Sequence, residues 1–508
     1  TSITKRGHPM SEKICIIDGY LDEPAQFGVP PYISPLCRYA YGCYIYYGVQ
    51  PEYYTIDQIR TNDLWEHLNT FDHLVLIGGV SVPGKYIGGN PLKYHELEKI
   101  SQSAPKPLKI YKGPFTIGYT SEGGKNAHII QNLNKLYDCP VTGNLETFLF
   151  HLLKGDLPEE SISANGEVLK RIAPLGAQVI EKHPNFPNLI CEIEVSKGCE
   201  RSTHCSFCTE PLLYGQYTER KPEDILDEIE ALTMHGARYF RLGRAANILA
   251  YGYSIHDTNS SYLEKLYCGI RKLCPSLSML HTDNANPGFI QRYPEVSEKG
   301  IELISTHNTS GDCLSFGVES FDDNVIKHNN LSIEPQAIIE ACSKVNRIGG
   351  FLKEGIPSLL PGINLLFGLI SETPSTYDIN FEYLKRLLDR KILLRRINIR
   401  RAMVFPDTPL YDYSKNKKLK SYPREFRKFK EKVREEIDKP MLKMVFPYGT
   451  LIKDVIIEYN KGNVSFGRKL GTYAILIGIR QKIQPSTIVN IRVTDHGYRS
   501  ITGVLDNG

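Results

Sequence analysis

Cys199-Glu-Arg-Ser-Thr-His-Cys205-Ser-Phe-Cys208 decides how the rest of the chain reads. Three cysteines at C-x5-C-x2-C, within ten residues, suit one metal assembly in a reducing compartment. They follow Glu192-Ile-Glu-Val-Ser-Lys-Gly198, which alternates like a strand and ends in a glycine. Two metal readings stand on these residues. Three thiolates leave one corner of a cubane iron–sulfur cluster open to an outside ligand. A zinc site would instead take His204 as its fourth ligand, but His204 directly precedes Cys205, which makes a shared tetrahedron awkward. No second cysteine pair follows. Cys268 and Cys274 fall at helix-like positions, Cys342 lies in a helix and Cys313 begins a strand, so these read as structural.

Downstream of the triad, residues 222–235 form an amphipathic helix with Ile225, Ile229 and Leu232 on one face. The strand Ala237-Arg-Tyr-Phe-Arg-Leu-Gly243 comes next. Strand-like runs recur at 278–282, 313–318, 362–368 and 396–401, with helices such as 334–347 and 376–388 between them. With the strand before Cys199 this makes six βα units, a partial (β/α)6 barrel, whose chemistry belongs at the carboxyl ends of its strands. Those ends carry Arg244 and Asn247, Asp283 and Asn284, Glu319 and Ser320, Glu372 and Thr373, and Asn398 and Arg400. Any one of them could be a satisfied loop residue.

Upstream, Lys13-Ile-Cys-Ile-Ile-Asp-Gly19 reads as a buried first strand closed by Asp-Gly. A helix follows over 34–47, then strands at 52–57, at His73-Leu-Val-Leu-Ile-Gly-Gly79 and at Phe115-Thr-Ile-Gly-Tyr119. The alternation predicts a Rossmann-like doubly wound parallel sheet that binds its ligand at the strands' carboxyl ends. The loops Gly78-Gly-Val-Ser-Val-Pro-Gly84 and Gly118-Tyr-Thr-Ser-Glu-Gly-Gly124 let backbone approach a ligand there. The expected organisation is a leader at 1–9 left by cloning, a Rossmann-like domain at 10–155 and a Pro-rich irregular linker at 156–190. A barrel at 191–412, a basic helix at 413–440 and a small antiparallel β-barrel at 441–508 complete it.

The 508 residues are 41% hydrophobic and 23% charged, ordinary for a soluble globular chain, and no apolar run approaches the length of a spanning helix. The expected location is the cytoplasm, with no membrane partner. The net charge of +4 is unevenly spread. In residues 414–440 eleven Lys and Arg face five Asp and Glu, and from Met441 onward nine face four. The last 95 residues therefore carry +11 and the first 413 about −7. A basic end is either a solvated surface or a dock for an acidic partner or nucleic acid. Phe426, Phe429 and Val433 form a helical stripe that packs along the barrel.

With these residues in view, the triad and the strand ends resemble the radical SAM superfamily over residues 190–412. That family's usual spacing is C-x3-C-x2-C; this chain has two more residues in the first gap. Leu314-Ser-Phe-Gly-Val-Glu-Ser320 is similar to the family's fourth-strand motif, and Leu366-Phe-Gly-Leu-Ile-Ser-Glu-Thr373 to its fifth-strand Gly-Leu-x-Gly-Glu-Thr motif, with Ser371 in place of the inner glycine. The resemblance implies a [4Fe-4S] cluster on Cys199, Cys205 and Cys208. It also implies S-adenosylmethionine held near Phe207, Gly243, Arg244, Asp283, Glu319, Ser320, Gly368, Glu372 and Asn398, and an electron donor as partner.

Residues 13–155, directly upstream of such a triad, resemble the cobalamin-binding domain of B12-dependent radical SAM enzymes. Gly78, Gly79, Val80, Ser81, Gly118, Tyr119 and Thr120 would then face cobalamin. The Asp-x-His-x-x-Gly signature of many cobalamin domains is absent, since Asp72-His73-Leu74 begins a strand without the glycine. Val464-Ser-Phe-Gly-Arg-Lys-Leu-Gly471 and Tyr498-Arg-Ser-Ile-Thr-Gly503 resemble the TRAM domain, an OB-like barrel that ends many tRNA methylthiotransferases. The resemblance as a whole implies a cobalamin-dependent C-methyltransferase of archaeal, methanogen type. Its macromolecular substrate is a protein residue, such as a glutamine of methyl-coenzyme M reductase, or RNA. A tRNA methylthiotransferase is the alternative, and it would need a second cluster from Cys15, Cys37, Cys43 and Cys139. A non-enzymatic RNA-binding scaffold would leave the strand-end motifs without a role.

Overall fold

The computed structural model describes residues 12–23, 28–81, 86–120, 122–253, 259–331 and 333–506. The supposed leader at 1–9, the tip 82–84 of one glycine loop and Ser121 of the other lie outside these residues. In the amino-terminal part, β1 (Ile14–Asp22), β2 (Tyr32–Ile33), β3 (Glu52–Thr55), β4 (His73–Val80), β5 (Leu108–Lys112) and β6 (Cys139–Pro140) alternate with helices. Five of them form a parallel sheet in the order β3-β1-β4-β5-β6. The order reverses between β1 and β4, so the ligand crevice of this doubly wound sheet is at the carboxyl ends of those two strands.

Two expectations change here. The fourth strand is β5, whereas Pro114–Thr116 forms a 3₁₀ turn. Lys109 and Lys112 hide β5 in the sequence. Both are buried, and their ammonium groups are satisfied by the carbonyls of Ala104 and Pro107 (3.2 and 3.1 Å) and of Thr142 and Gly143 (2.9 and 2.7 Å). Phe115 fills the core beside Tyr111 instead. The stretch expected to be an irregular linker contains a helix, Gly166–Ile172, and a 3₁₀ segment, Leu175–Lys182. Val168, Ile172, Ala177 and Ile180 join the main core beside helix Pro35–Tyr46.

That helix ties the two halves together. β2 leaves the first sheet and pairs in parallel with β7 (Ile190–Glu194) of the second. Arg38 donates to Glu228 Oε1 (2.7 Å) and to the Glu192 and Ile33 carbonyls (2.6 and 3.3 Å). Arg220 donates to Glu228 Oε2 (2.6 Å), the Tyr39 hydroxyl (3.0 Å) and the Glu194 carbonyl (3.1 Å). All three ions are buried.

From β7 the chain makes a short antiparallel ribbon, β8 (Ser196–Lys197) with β9 (Thr218–Glu219), whose connection carries the cysteines. β10 (Tyr239–Gly243), β11 (Met279–His281), β12 (Asn284–Ala285) and β13 (Asp312–Glu319) follow. After the ribbon β14 (Leu352–Lys353) and β15 (Ile356–Pro357) come β16 (Leu359–Phe367) and β17 (Arg396–Arg401). The orders β2-β7-β10-β11 and β12-β13-β16-β17 make one open, parallel wall, with β11 and β12 as two halves of a strand interrupted at 282–283. Helices Pro222–Met234, Asn259–Leu273, Pro294–His307, Pro335–Gly349 and Pro374–Asp389 lie between successive strands, as in a partial (β/α)6 barrel.

Phe429 and Val433 of helix Pro423–Val433 are buried, Phe429 against Phe367 and Tyr377. The carboxyl-terminal barrel consists of β18 (Leu451–Lys461), β19 (Val464–Lys469), β20 (Leu476–Ile479), β21 (Ile488–His496) and β22 (Ser500–Leu505), closed in the order β18-β19-β20-β22-β21. Its pairs are antiparallel except β20 with β22, which run parallel. The fold class is therefore α/β with a small β-barrel attached.

Replacing Arg38 with Ala strands buried acceptors and opens a cavity at the joint between the halves. The expected loss is about 3–5 kcal/mol of unfolding free energy, measured by guanidinium titration; a loss under about 1 kcal/mol would show that the triad does not hold the joint.

Candidate active site

The cysteine loop begins at Gly198 (φ +77°), whose left-handed backbone turns the chain out of β8. It ends where helix Glu210–Tyr214 leads back to β9, so the loop is pinned at its neck. Within it the Cys208 N–H donates to the Cys205 carbonyl (3.1 Å), the tight turn that a two-residue gap allows. Arg201 donates to Cys205 Sγ (3.1 Å) and to the Asn330 carbonyl (2.7 Å). Burial pushes the Cys199 thiol up to about 12, with Glu200 adding to the rise. Burial also raises Cys205, against Arg201. Cys199 feels the charge of Cys205, Cys208 feels that of Cys205 and Cys199, and Cys205 feels that of Glu319. Among the described residues no three His, Cys, Asp or Glu side chains converge as the ligands of one ion. A single zinc needs such convergence, whereas in a cubane each cysteine takes a different iron. The donor set fits the cluster: three half-buried thiols with a guanidinium against one of them.

Asn329 anchors this loop, and sequence reasoning missed it. It is fully buried. Its Oδ1 accepts from the Ser206 hydroxyl (2.6 Å) and the Ile370 N–H (3.2 Å), and its Nδ2 donates to the Ile370 carbonyl (2.9 Å). One amide thus joins the cysteine loop to the loop after β16. A lone Asn in the sequence carries no sign of such a role.

The loop after β16 turns at Gly368 (φ +88°), where a side chain would meet open space, and at Ser371 (φ +68°). Ser371 thus adopts the backbone that glycine prefers, at a cost of ~1 kcal/mol. Glu372 accepts from the N–H of Gly368 and of Leu369 (3.4 Å) and from the Tyr377 hydroxyl (2.5 Å). Gly368, Glu372 and Tyr377 line a cleft of ≈ 230 Å³ together with Arg401, Tyr422 and Gly124. Phe207 packs beside Val325, Leu369 and Val404. Asn398 accepts from Arg396 Nε (2.7 Å) and donates to Asn364 (2.8 Å).

Other strand ends are ionic. Arg241 donates to both Glu192 and Asp283. Burial pushes Glu192 up to about 7 and Asp283 to about 8, against the pull of Arg241. A Cβ at Gly243 would collide with the Glu192 carboxylate. Glu319 (φ +60°) is half-buried, raised to about 8 by burial and opposed by Arg400. Ser320 accepts from the Asp322 N–H (3.1 Å) and shapes the turn after β13. Arg244 (φ +61°) reaches across the joint to Glu23 (3.0 Å) and the Tyr214 hydroxyl (2.7 Å), its guanidinium 3.8 Å from the Tyr214 ring centre.

Across this joint lies the carboxyl edge of the first sheet. Gly78 packs against Gly19, Gly79 against the Phe115 ring, and Gly118 near Pro406. Val80 pairs with Asp22, and Ser81 donates to the Asp22 carbonyl. Tyr119 pairs with His128, and the Thr120 hydroxyl donates to the Glu122 carbonyl (3.2 Å). The loop then joins the barrel: Gly124 and Ala127 donate to the carbonyls of Ala402 and Val404 (2.6 and 2.8 Å). Asp22, raised to about 6 by burial, feels Arg400 from β17. His73 lies at the opposite edge, against Tyr44 and Glu12. The crevice at the switch point therefore opens toward the barrel's strand ends, with a buried, unpartnered Glu23 oxygen in it. The glycines of this edge are accounted for by packing within the chain, Gly78 on Gly19 and Gly79 on the Phe115 ring, so the Glu23 oxygen is the group left to meet a ligand.

No family model matches the chain. A Methanocaldococcus jannaschii protein, described only as uncharacterized, is 42% identical over 517 aligned residues, 97% of this chain and 93% of that one. An Archaeoglobus fulgidus protein, likewise described, is 38% identical over 498, 97% and 90% of the two chains. A tRNA-2-methylthio-N(6)-dimethylallyladenosine synthase of Geobacillus thermodenitrificans is 20% identical over 79% of this chain and 72% of its own. Among solved structures, the radical S-adenosylmethionine methyltransferase TsrM of Kitasatospora setae, with tryptophan and a SAM analogue bound, matches with a TM-score of 0.53 at 14% identity, over 79% of this chain and 75% of that one. The cobalamin-dependent S-adenosylmethionine radical enzyme OxsB, with aqua-cobalamin bound, matches at 0.50 and 14%, over 82% and 56%. At such identities these two show a shared fold.

Asn329→Ala removes several buried hydrogen bonds at about 1 kcal/mol each. It is expected to cost about 3 kcal/mol in denaturant unfolding and to lower the iron retained after reconstitution. Unchanged stability and iron would mean that the two loops are held by other contacts.

Proposed function

We propose that this chain, which belongs to the archaeal family of its Methanocaldococcus jannaschii and Archaeoglobus fulgidus relatives, is a radical SAM enzyme that binds cobalamin and methylates an unactivated carbon of a macromolecular substrate. The observation that carries the reading is the meeting of two ligand-binding edges. The carboxyl edge of a doubly wound sheet abuts the carboxyl end of a barrel whose first loop holds three cysteines. Cys199, Cys205 and Cys208 would hold a cluster that, once reduced by an outside donor, would supply the electron that opens the sulfonium of S-adenosylmethionine, and cobalamin at the sheet edge would supply the methyl group.

The chain's own residues serve orientation and exclusion of water. Arg201 holds the Cys205 thiol in place, and Asn329 keeps the cysteine loop in register with the Gly368–Glu372 turn. Glu23 and Arg244 clamp the first sheet onto the barrel, so a substrate carbon between the two edges has a fixed distance to each. Such positioning contributes most of what a protein adds to cofactor chemistry. The family-level expectation for the substrate is a protein residue, such as a glutamine of methyl-coenzyme M reductase, and for the enzyme's location the cytoplasm. Among the described residues no helix is long and apolar enough to cross a membrane.

A second reading, an RNA substrate, is favoured by one feature of the basic end. Tyr459 and Phe466 stack at 5.1 Å on the outer face of the carboxyl-terminal barrel, beside Lys461, and Tyr459 is 40% exposed. Base stacking plus lysine is how OB-like barrels hold single strands. RNA methylthiolation is less well supported, because Cys15, Cys37, Cys43 and Cys139, which would have to supply its second cluster, are all buried, Cys15 inside β1.

Anaerobic reconstitution is expected to give about four irons and one cobalamin per chain. Cys205→Ala is expected to abolish reductive cleavage of S-adenosylmethionine. Cleavage that survives the substitution would falsify the cluster assignment, and about eight irons without cobalamin would move the chain to the methylthiotransferases. Mass spectrometry of proteins and RNA from a deletion strain distinguishes the substrates.

A further inference from the structure

Residues 470–475, between β19 and β20, leave the carboxyl-terminal barrel and enter the amino-terminal mouth of the six-stranded one. The Thr472 N–H donates to His281 Nδ1 (2.9 Å), and its hydroxyl donates to the Thr282 carbonyl (3.3 Å). The Tyr32 hydroxyl donates to the Gly471 carbonyl (3.0 Å). Ser315, midway along β13, donates to the Tyr473 hydroxyl (3.2 Å), and Arg395 donates to the Tyr473 carbonyl (3.0 Å). Leu470 and Ile456 pack with Ile190 and Met279, the first residues of β7 and β11. A closed eight-stranded barrel fills its lower half with strand side chains. Six strands leave that space open, and this loop occupies it.

Tyr473 is the part of the plug that reaches furthest toward the chemistry. It holds a left-handed backbone (φ +54°), a strain of ~1 kcal/mol that persists only where surrounding contacts fix it. The Arg396 guanidinium lies 4.7 Å from its ring centre. Arg396 Nε donates to Asn398 Oδ1 (2.7 Å), and Asn398 Nδ2 donates to Asn364 Oδ1 (2.8 Å). Arg396, Asn398 and Arg400 share one face of β17, while Ile397 and Ile399 face the helices. The file therefore runs from the floor of the barrel to its carboxyl end. The Tyr473 ring and the Asn398 amide both contact Arg396, and the Asp438 carboxylate feels its charge.

We infer that Tyr473 is a positioning residue of the reaction chamber: its ring fixes Arg396, Arg396 fixes Asn398, and the carboxyl-terminal barrel thereby sets the S-adenosylmethionine site from below. This rests on the radical SAM reading. It gives the terminal barrel a task within its own chain, separate from anything its outer face binds.

In the full-length reconstituted protein, Tyr473→Leu is expected to weaken S-adenosylmethionine binding about tenfold in equilibrium dialysis without reductant, the scale of a desolvated cation–π contact. Iron per chain should stay unchanged. Tyr473→Phe, which keeps the ring, should stay within about twofold of wild type. Arg396→Gln should reproduce the loss, and the double variant should lose no more than either single one, because both act through one contact. Binding by Tyr473→Leu at the wild-type level, or losses that add in the double variant, would overturn the inference and leave the loop a structural joint. If Tyr473→Leu yields too little folded protein, Arg396→Gln against Tyr473→Phe carries the same comparison. Wild-type protein that binds no S-adenosylmethionine overturns the functional reading and this inference with it, and that failure shows before any variant is compared.

Discussion

The buried triad of Arg38, Glu228 and Arg220 is the constraint on which the two-edged architecture depends. Each of these ions would cost several kcal/mol if left unpaired in the core. The docking of helix Pro35–Tyr46 against β7 and helix Pro222–Met234 pairs all three, and brings the two arginines onto the carbonyls of Ile33, Glu192 and Glu194. An all-apolar joint would tolerate sliding, because apolar contacts are not directional. The triad adds little net stability by the usual balance of buried ions, yet it selects a single arrangement. That selection lets Glu23 from one edge meet Arg244 from the other at 3.0 Å.

The same economy of charge runs through the chamber. Glu192, Asp283, Glu319 and Glu210 are all pushed up by burial, toward neutrality at pH 7. Arg241, Arg244 and Arg400 pull the other way. Burial and the neighbouring guanidiniums thus pull these strand-end carboxyls in opposite directions. Left-handed backbone at Arg244, Glu319 and Ser371 marks the ends of three strands facing that space. Strain of this kind collects where side chains must be aimed rather than merely packed.

Much of this was legible in the sequence. Apolar runs located β1 and β4, and strand-like runs located β10, β11, β13, β16 and β17, because a parallel strand buried on both faces has little choice of composition. The strand read by alternation at 192–198 proves to be the end of β7 followed by the ribbon strand β8, and β12 was not legible as a strand. The spacing of the cysteines and the polar residues after each strand located the rim of the barrel. β5 was hidden because two lysines that end in carbonyl cages look like solvent-facing residues. β2 was hidden because two residues are too few to show a period. The helix Gly166–Ile172 was lost among prolines that mark its surroundings. Asn329 and Tyr473 carry no pattern at all, since each acts on residues far away in sequence: 123 positions separate Asn329 from Ser206, and 158 separate Tyr473 from Ser315.

The basic end shows how charge and packing divide one small barrel between two tasks. Its charge alone could mean a loosely tethered RNA module. Yet Arg499 donates to the Ile397 carbonyl on the open edge of β17 and to Asp438, and Arg395 is drawn to the loop 470–475. These cations are taken up in closing a barrel that six strands leave unfinished. An edge strand with free carbonyls invites unwanted pairing, and a guanidinium that caps one is a compact remedy. Lys461 and the Tyr459–Phe466 pair lie on the outer face, away from this seam. One face of the barrel therefore closes the open side of the six-stranded wall, while the Tyr459–Phe466 pair lies on the other.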